Sequence, residues 1–229
     1  MPAFQQQAIV DFMTTKYPTT TQQQLQSVHN NRGFCDLTNV ELLEAYLAEQ
    51  LQNKTVDIDA NLALLKLYLV YPATANATVV AKILAKGIMA IPSTFFSGAS
   101  TMIPENIRED AVVTKMLRAG FLLQSCLFED YWKEEVALTK ELPGFLDSVR
   151  AFILTAVSHS HSAISIEVLA AKINVSNKRV PEIVAAEKWT LADNVIQISP
   201  NEENQMQAKK VQENIEFEDV LNVIHVLCK

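Results

Sequence analysis

The sequence of 229 residues is poor in glycine and cysteine, and each shortage excludes a class of protein. Five scattered glycines cannot supply the Gly-rich loop that cradles phosphates in nucleotide-binding enzymes. The three cysteines, Cys35, Cys126 and Cys228, lie far apart in no CxxC spacing, so we expect reduced thiols and no zinc site. Cys126 lies in the apolar stretch LLQSCLF, where a buried and inert thiol is expected.

A membrane span, a targeting segment and a basic charge balance are also missing. The apolar run 62–70 is interrupted by Lys66 and is too short to cross a bilayer. The first residues, MPAFQQQAIVDFM, lack the basic start and long apolar centre of a signal peptide. The net charge of −7 opposes non-specific attraction to phosphate backbones. We therefore expect a cytosolic or nuclear protein that binds no membrane, metal, cofactor or small-molecule substrate.

What the sequence has in abundance is apolar residues at helical spacing. Hydrophobic residues make up 49% of the chain and charged residues 20%, which is typical of a globular protein. Between residues 36 and 158, apolar positions recur every three to four residues and predict six amphipathic helices, with a loop at 92–103. Short links favour antiparallel neighbours, so residues 36–158 are predicted to form a HEAT-like helical array.

Three further features refine this organisation. Gly87 lowers the helix propensity of an apolar helix face, which predicts the close approach of a neighbouring helix. Lys82 and Lys86 fall on another face of that helix. Residues 1–35 are rich in Gln and Thr, so we predict that they form a flexible N-terminal extension.

Residues 159–200 predict a winged helix, because two short helices precede a β-hairpin. The first helix is the stretch SIEVLAAKI. Pro181 lacks an N–H, so it fits only the first turn of the second helix. Asp193 and Asn194 form the predicted turn of the hairpin, and Trp189 is expected to plug the core beneath it.

A charge count weighs against nucleic-acid binding by this segment. Four acidic residues, Glu167, Glu182, Glu187 and Asp193, balance four basic ones, Lys172, Lys178, Arg179 and Lys188. Winged helices that bind DNA usually present a surplus of Lys and Arg, because phosphate contacts supply much of the affinity. Contact with nucleic acid through Lys178, Arg179 and Lys188 is kept as an alternative.

Two apolar surfaces are candidate binding sites for partner proteins. On the hairpin, an exposed strand edge able to pair with another chain is predicted for Val195, Ile196 and Ile198. Residues 201–229 comprise a polar linker and a C-terminal helix. The apolar stripe of this helix consists of Phe217, Val220, Leu221, Ile224 and Leu227. Each would contribute ~1.5–3 kcal/mol when buried, so either a partner or the helix's own domain is expected to cover the stripe.

Five segments in a fixed order carry a family resemblance. They are DANLALLKLYLVYP (59–72), GFLLQSCLFEDYW (120–132), GFLDSVRAFI (144–153), KW (188–189) and IEFEDVLNVI (215–224). With the helical array, winged helix and terminal helix, they resemble the PCI family, whose members are subunits of the proteasome lid, the COP9 signalosome and translation initiation factor 3. Within it, they are similar to the k-subunit family of the eukaryotic initiation factor.

The resemblance implies a mostly α fold: a HEAT-analogous helical domain, a winged helix and a C-terminal helix. It implies a non-catalytic scaffold that contacts the l and e subunits of initiation factor 3 and, through the complex, the small ribosomal subunit. It implies no catalytic residue, metal or cofactor. The alternatives are a PCI subunit of the proteasome lid or COP9 signalosome, and a winged-helix nucleic-acid-binding protein.

Overall fold

The computed structural model describes residues 2–31, 35–134, 139, 141–205 and 216–227. The first part of the chain contains two short strands and a series of helices. In order, they are β1 (Ala8–Val10), α1 (Thr20–Asn30), α2 (Val40–Asn53), β2 (Thr55–Asp57), α3 (Ile58–Val70), α4 (Ala77–Met89), α5 (Phe95–Thr101), α6 (Glu105–Arg108), α7 (Ala111–Gln124) and α8 (Phe128–Lys133).

The second part begins with the longest helix of the described chain. The elements are α9 (Phe145–Ser160), β3 (Ala163–Ser165), α10 (Ile166–Ile173), α11 (Val180–Ala186), β4 (Thr190–Ala192), β5 (Val195–Gln197) and α12 (Phe217–Leu227). The prediction of a mostly α fold is confirmed. Within the described ranges, no helix combines the length and apolar character that a membrane span requires.

The centre of the helical region is built around Phe96. Its side chain is fully buried between α4 and α7, where a β-carbon on Gly87 would lie 3.0 Å from the Cα of Phe96. A β-carbon on Gly120 would lie 2.0 Å from the Phe96 ring, so only glycine fits there. The close approach predicted at Gly87 is confirmed. The neighbour is α5, which occupies the segment predicted as a loop, because Phe95 and Phe96 are buried there.

The N-terminal residues pack into the fold. Strand β1 pairs in parallel with β2, with Ile9 opposite Val56. The side chains of Phe12 and Leu25 are buried in the core, and α1 packs against α2. The prediction of a flexible extension is therefore wrong for residues 8–30, because a few apolar side chains fix this Gln- and Thr-rich segment.

The segment 163–199 forms a unit that we name the helix–hairpin module. Its antiparallel sheet has the strand order β3-β5-β4, so β5 is the central strand. Asp193 and Asn194 have φ values of 46° and 67°, as a tight hairpin turn requires, which confirms the predicted turn. Pro181 lies in the first turn of α11, as predicted. The helices and hairpin agree with the predicted order, β3 is an additional strand, and the winged-helix name stays a prediction.

Three sequence expectations concern other residues of the core and loops. Trp189 is 9% exposed, so the prediction that its side chain is buried is confirmed. Cys126 is exposed, in contrast to the expected buried thiol, because it lies in the turn after α7 with a φ of 57°. Cys228 lies outside the described residues.

Candidate partner-binding surfaces

The predicted pairing edge of the hairpin does not exist in the structure. Ile196 and Ile198 are 0% and 5% exposed and belong to the core, and only Val195 is exposed. Strand β5 carries Val195 and Ile196 and is flanked on both sides, by β3 and β4. The prediction of an exposed edge here is wrong, because a third strand occupies the free side of β5. The outer strand β4 has exposed side chains along its length.

The apolar side chains of α12 are all exposed. The five predicted stripe residues are joined by two further apolar residues, Val223 and Val226. The exposed fractions run from 43% for Val220 to 78% for Leu227. Of the two alternatives for the stripe, packing on its own domain is not observed among the described residues, and cover by a partner stays a prediction.

The width of this apolar surface limits how it can be covered. At 3.6 residues per turn, the seven apolar positions of α12 span an arc of about 220°. An arc of this width exceeds the narrow seam of two helices packed side by side and is typical of a helix with neighbours on several sides. Full burial of α12 therefore requires contact with more than one element of a partner.

The three candidate nucleic-acid contacts are exposed but separated. Lys178 and Arg179 lie in a 3₁₀ turn, Asn177–Arg179, directly before α11. Lys188 follows the far end of this seven-residue helix, which is about 10 Å long at 1.5 Å per residue. Glu182 lies in the first turn of α11, beside the two cations of the turn. The structure thus brings two of the three cations together in one turn and places a carboxylate in the first turn of the helix that follows.

Asp57 is a buried carboxylate at the start of α3. Its side chain is 0% exposed and caps α3 through the Ala60 N–H, at 3.1 Å. Its other oxygen accepts the Phe12 N–H at 2.8 Å and the Tyr46 hydroxyl at 3.0 Å. Burial raises the pKa of the Asp57 carboxyl, while these hydrogen bonds oppose the rise. Gln22 of α1 completes the cluster by donating to the Tyr46 oxygen at 2.9 Å.

A second buried charge is Lys86, whose side chain is also fully buried. Its ammonium donates to the Gln7 side-chain oxygen at 2.6 Å and to the carbonyls of Gln50 and Thr55, at 3.0 and 2.9 Å. These three acceptors are uncharged, and burial lowers the pKa of Lys86 to about 8. Lys86 and Asp57 thus both hold the N-terminal segment on the helical region, which is a structural task.

The sequence carries a weak signal for this network. Gln50, Asn61 and Lys86 are polar residues within otherwise apolar helical stretches, and Gln50 and Asn61 exchange side-chain hydrogen bonds of 3.0 and 3.1 Å. Polar groups at such positions are buried only when they have partners. Gln50 and Asn61 are each other's partners, whereas one partner of Lys86 is Gln7 of the N-terminal segment, whose contribution the composition alone does not reveal.

Comparison with known proteins identifies the family. The model of the CSN8/PSMD8/EIF3K family matches residues 74–210, which is more than half of the chain. The chain belongs to the CSN8/PSMD8/EIF3K family. The resemblance derived from the five sequence segments is therefore confirmed. The part matched to the family includes α4, the helix–hairpin module and the elements between them, and it ends before α12.

Individual relatives of this family extend the similarity further. The chain is 30% identical over 191 residues to "Eukaryotic translation initiation factor 3 subunit K" of Nematostella vectensis, covering 81% of this chain and 88% of the relative. It is 31% identical over 190 residues to the Xenopus laevis protein of that name and 30% identical to the human one. Both of these alignments cover 81% of this chain and 87% of the relative.

Proposed function

We propose that the chain is a non-catalytic scaffold subunit of eukaryotic translation initiation factor 3. Relatives with this subunit name match 81% of the chain, which supports the proposal. In this role the protein acts in the cytoplasm and binds the l and e subunits of the factor. It reaches the small ribosomal subunit through the assembled complex.

The observation that carries the proposal is the uncovered apolar surface of α12. Summed over the exposed fractions of its seven apolar side chains, full burial would contribute roughly 6–13 kcal/mol. Association of two proteins costs about 4–15 kcal/mol in lost freedom of motion. The helix therefore supplies a large part of a stable interface, and contacts elsewhere on the chain must supply the rest.

The outer strand of the helix–hairpin module is our candidate for these additional contacts. Strand β4 pairs with β5 on one side, and its residues Thr190, Leu191 and Ala192 are exposed. An exposed strand edge offers backbone N–H and C=O groups to another chain. We therefore assign to β4 the pairing role that the sequence analysis gave to β5, with Val195 at the adjoining surface.

Co-sedimentation tests this proposal. The tagged protein is expressed in cells, the lysate is treated with RNase, and the subunits of initiation factor 3 are followed through a sucrose gradient. We expect the tagged chain to migrate with the other subunits, because protein contacts hold it there. Migration of the chain alone, while the remaining subunits stay together, would contradict the proposal.

A second candidate function follows from the family description, which also includes CSN8 and PSMD8. A subunit of the COP9 signalosome or of the proteasome lid would use the same apolar surface of α12 in a different complex. The same gradient separates the three assemblies by their other subunits. Migration with lid or signalosome subunits would favour this second candidate over the initiation factor.

A further inference from the structure

We propose that residues 2–7 form a latch that fixes the orientation of the helix–hairpin module against the helical region. This latch crosses from the centre of the helical region to the end of α11. One of its ends is anchored on buried groups, and the other end is held by contacts at the surface of the module.

The anchored end of the latch is Gln7. Its side-chain oxygen accepts from the buried ammonium of Lys86, and its side-chain nitrogen donates to the carbonyl of Pro143, at 3.2 Å. Gln6 donates to the carbonyl of Ile91 at 2.9 Å. Removal of Gln7 would leave a buried ammonium with one acceptor fewer, so this end is costly to release.

The module end of the latch rests on two contacts. The backbone N–H of Ala3 donates to the Glu187 carboxylate, directly after α11, at 2.8 Å. The guanidinium of Arg150 in α9 lies 5.6 Å from the centre of the Phe4 ring. Arg150 also donates to the carbonyl of Ile173 at 3.2 Å. Arg150 therefore joins α9, the latch and the module at one point.

A cleft lies between the latch and the module. It has a volume of about 590 Å³ and lies between the latch, α9 and the hairpin. Its wall includes Phe4, Leu154, Glu187, Trp189 and Pro200. Because the cleft leaves space between these elements, the few contacts of Ala3 and Phe4 carry the connection on this side. Release of Gln7 would leave the fully buried ammonium of Lys86 short of an acceptor, whereas release of the partly buried Ala3 contact leaves no buried charge unpaired, so the module end opens more easily.

Opening of the latch has a defined consequence. The bonds of Gln7 and strand β1 stay in place, while the module loses its link to residues 2–4. The helical region keeps its fold, and the module gains freedom to move relative to α9. The latch therefore acts together with the direct contacts of α8 and α9 on α10, among them the hydrogen bond from the Trp132 side-chain N–H to the Lys172 carbonyl at 2.7 Å, in setting how the exposed strand β4 is oriented with respect to the helical region.

Hydrogen–deuterium exchange of the full chain tests the latch. The double variant Phe4→Ala with Glu187→Ala removes both contacts at the module end. We expect amide exchange at Ala3 and in residues 187–199 to accelerate about tenfold or more, since lost hydrogen bonds to charged groups change opening equilibria by this factor. Exchange in α4 and α7 is expected to stay within twofold of the wild type.

The control variant is Glu182→Ala, which removes an exposed carboxylate from the first turn of the same helix. It is expected to leave exchange at Ala3 and in residues 187–199 unchanged. Unaltered exchange of these residues in the double variant would overturn the proposal. Equal acceleration in α4 and α7 would also overturn it, because the latch contacts would then stabilise the whole fold and not the position of the module.

Discussion

Strand β5 and helix α12 both carry apolar residues, yet the central residue of β5 is buried, whereas the apolar residues of α12 are exposed. Ile196 lies in the centre of a three-stranded sheet, and its side chain is 0% exposed. Ile224 of α12 is 50% exposed, and its apolar neighbours are exposed as well. Apolar character alone therefore does not distinguish a core from a binding surface. What distinguishes them is whether the rest of the same chain supplies a covering layer.

The largest effect is expected when charges are placed in the exposed apolar surface of α12. The double variant Val220→Asp with Ile224→Asp places two charges in the apolar surface of α12. We expect binding to the partner complex to weaken by at least about 100-fold, because two apolar contacts of ~1.5–3 kcal/mol are lost and two carboxylates are desolvated. Quantitative pull-down measures the binding, and thermal unfolding should match the wild type.

The matched control for this variant is His225→Asp, which adds a carboxylate to α12 outside the apolar arc. We expect it to retain partner binding. Equal loss of binding in the control would indicate that any added charge disrupts α12. Undiminished binding of the double variant would contradict the assignment of the interface to this helix.

The second prediction concerns the buried side of the comparison. Ile196→Ala should lower the free energy of unfolding by roughly 2–4 kcal/mol, because it leaves a cavity in the core of the module. Denaturant unfolding measures this loss. The folded variant should bind partners as the wild type does, whereas Val195→Ala at the exposed neighbouring position should lower the free energy of unfolding by less than about 1 kcal/mol. A binding defect in Ile196→Ala without any loss of stability would contradict the assignment of Ile196 to the core and would place it on a binding surface.

The third prediction concerns a buried charged side chain, that of Lys86. Lys86 has a native pKa of about 8, below its ordinary value of 10.5. Between these two values the unfolded chain binds more protons, so this residue makes stability rise with pH across that window and fall as pH decreases through about 8.

The variant Lys86→Met lacks this titration, so the difference in unfolding free energy between wild type and variant should grow in favour of the wild type from pH 8 to pH 10. Urea unfolding at a series of pH values measures it. Lys82→Met, at a partly exposed position of the same helix, is the control. A pH-independent difference for Lys86→Met would contradict the lowered pKa of Lys86 in the native state.

The fourth prediction has the smallest expected effect and concerns exposed charges. The triple variant Lys178→Glu, Arg179→Glu and Lys188→Glu should change the unfolding free energy by no more than about 0.5 kcal/mol. It should leave RNase-resistant partner binding intact. Titration with RNA and DNA at several salt concentrations provides the test. A steep salt dependence in the wild type that disappears in this variant would favour the nucleic-acid-binding alternative.

The features that were correctly predicted from the sequence depend on local backbone chemistry. Pro181 fits only a first turn, Asp193 and Asn194 tolerate positive φ, and Gly87 permits close packing; each constraint is a property of the residue itself. Such constraints are readable without knowing the rest of the fold.

The features that were missed depend on distant partners. The buried state of Lys86 requires the side chain of Gln7, 79 positions away in the sequence. Strand β5 is central only because β3 pairs with it. In the sequence, β3 lies directly before α10, and its last residue is the start of the helix predicted there. Periodicity identifies these segments, but it does not say which of them meet.

The most direct test of the central claim is mass spectrometry of native pull-downs after RNase treatment, with the wild type and the Val220→Asp/Ile224→Asp variant in parallel. We expect the wild type to carry the subunits of initiation factor 3, including l and e, and the variant to lose them. Equal recovery of these subunits with both proteins, or their absence from the wild type, would contradict the claim.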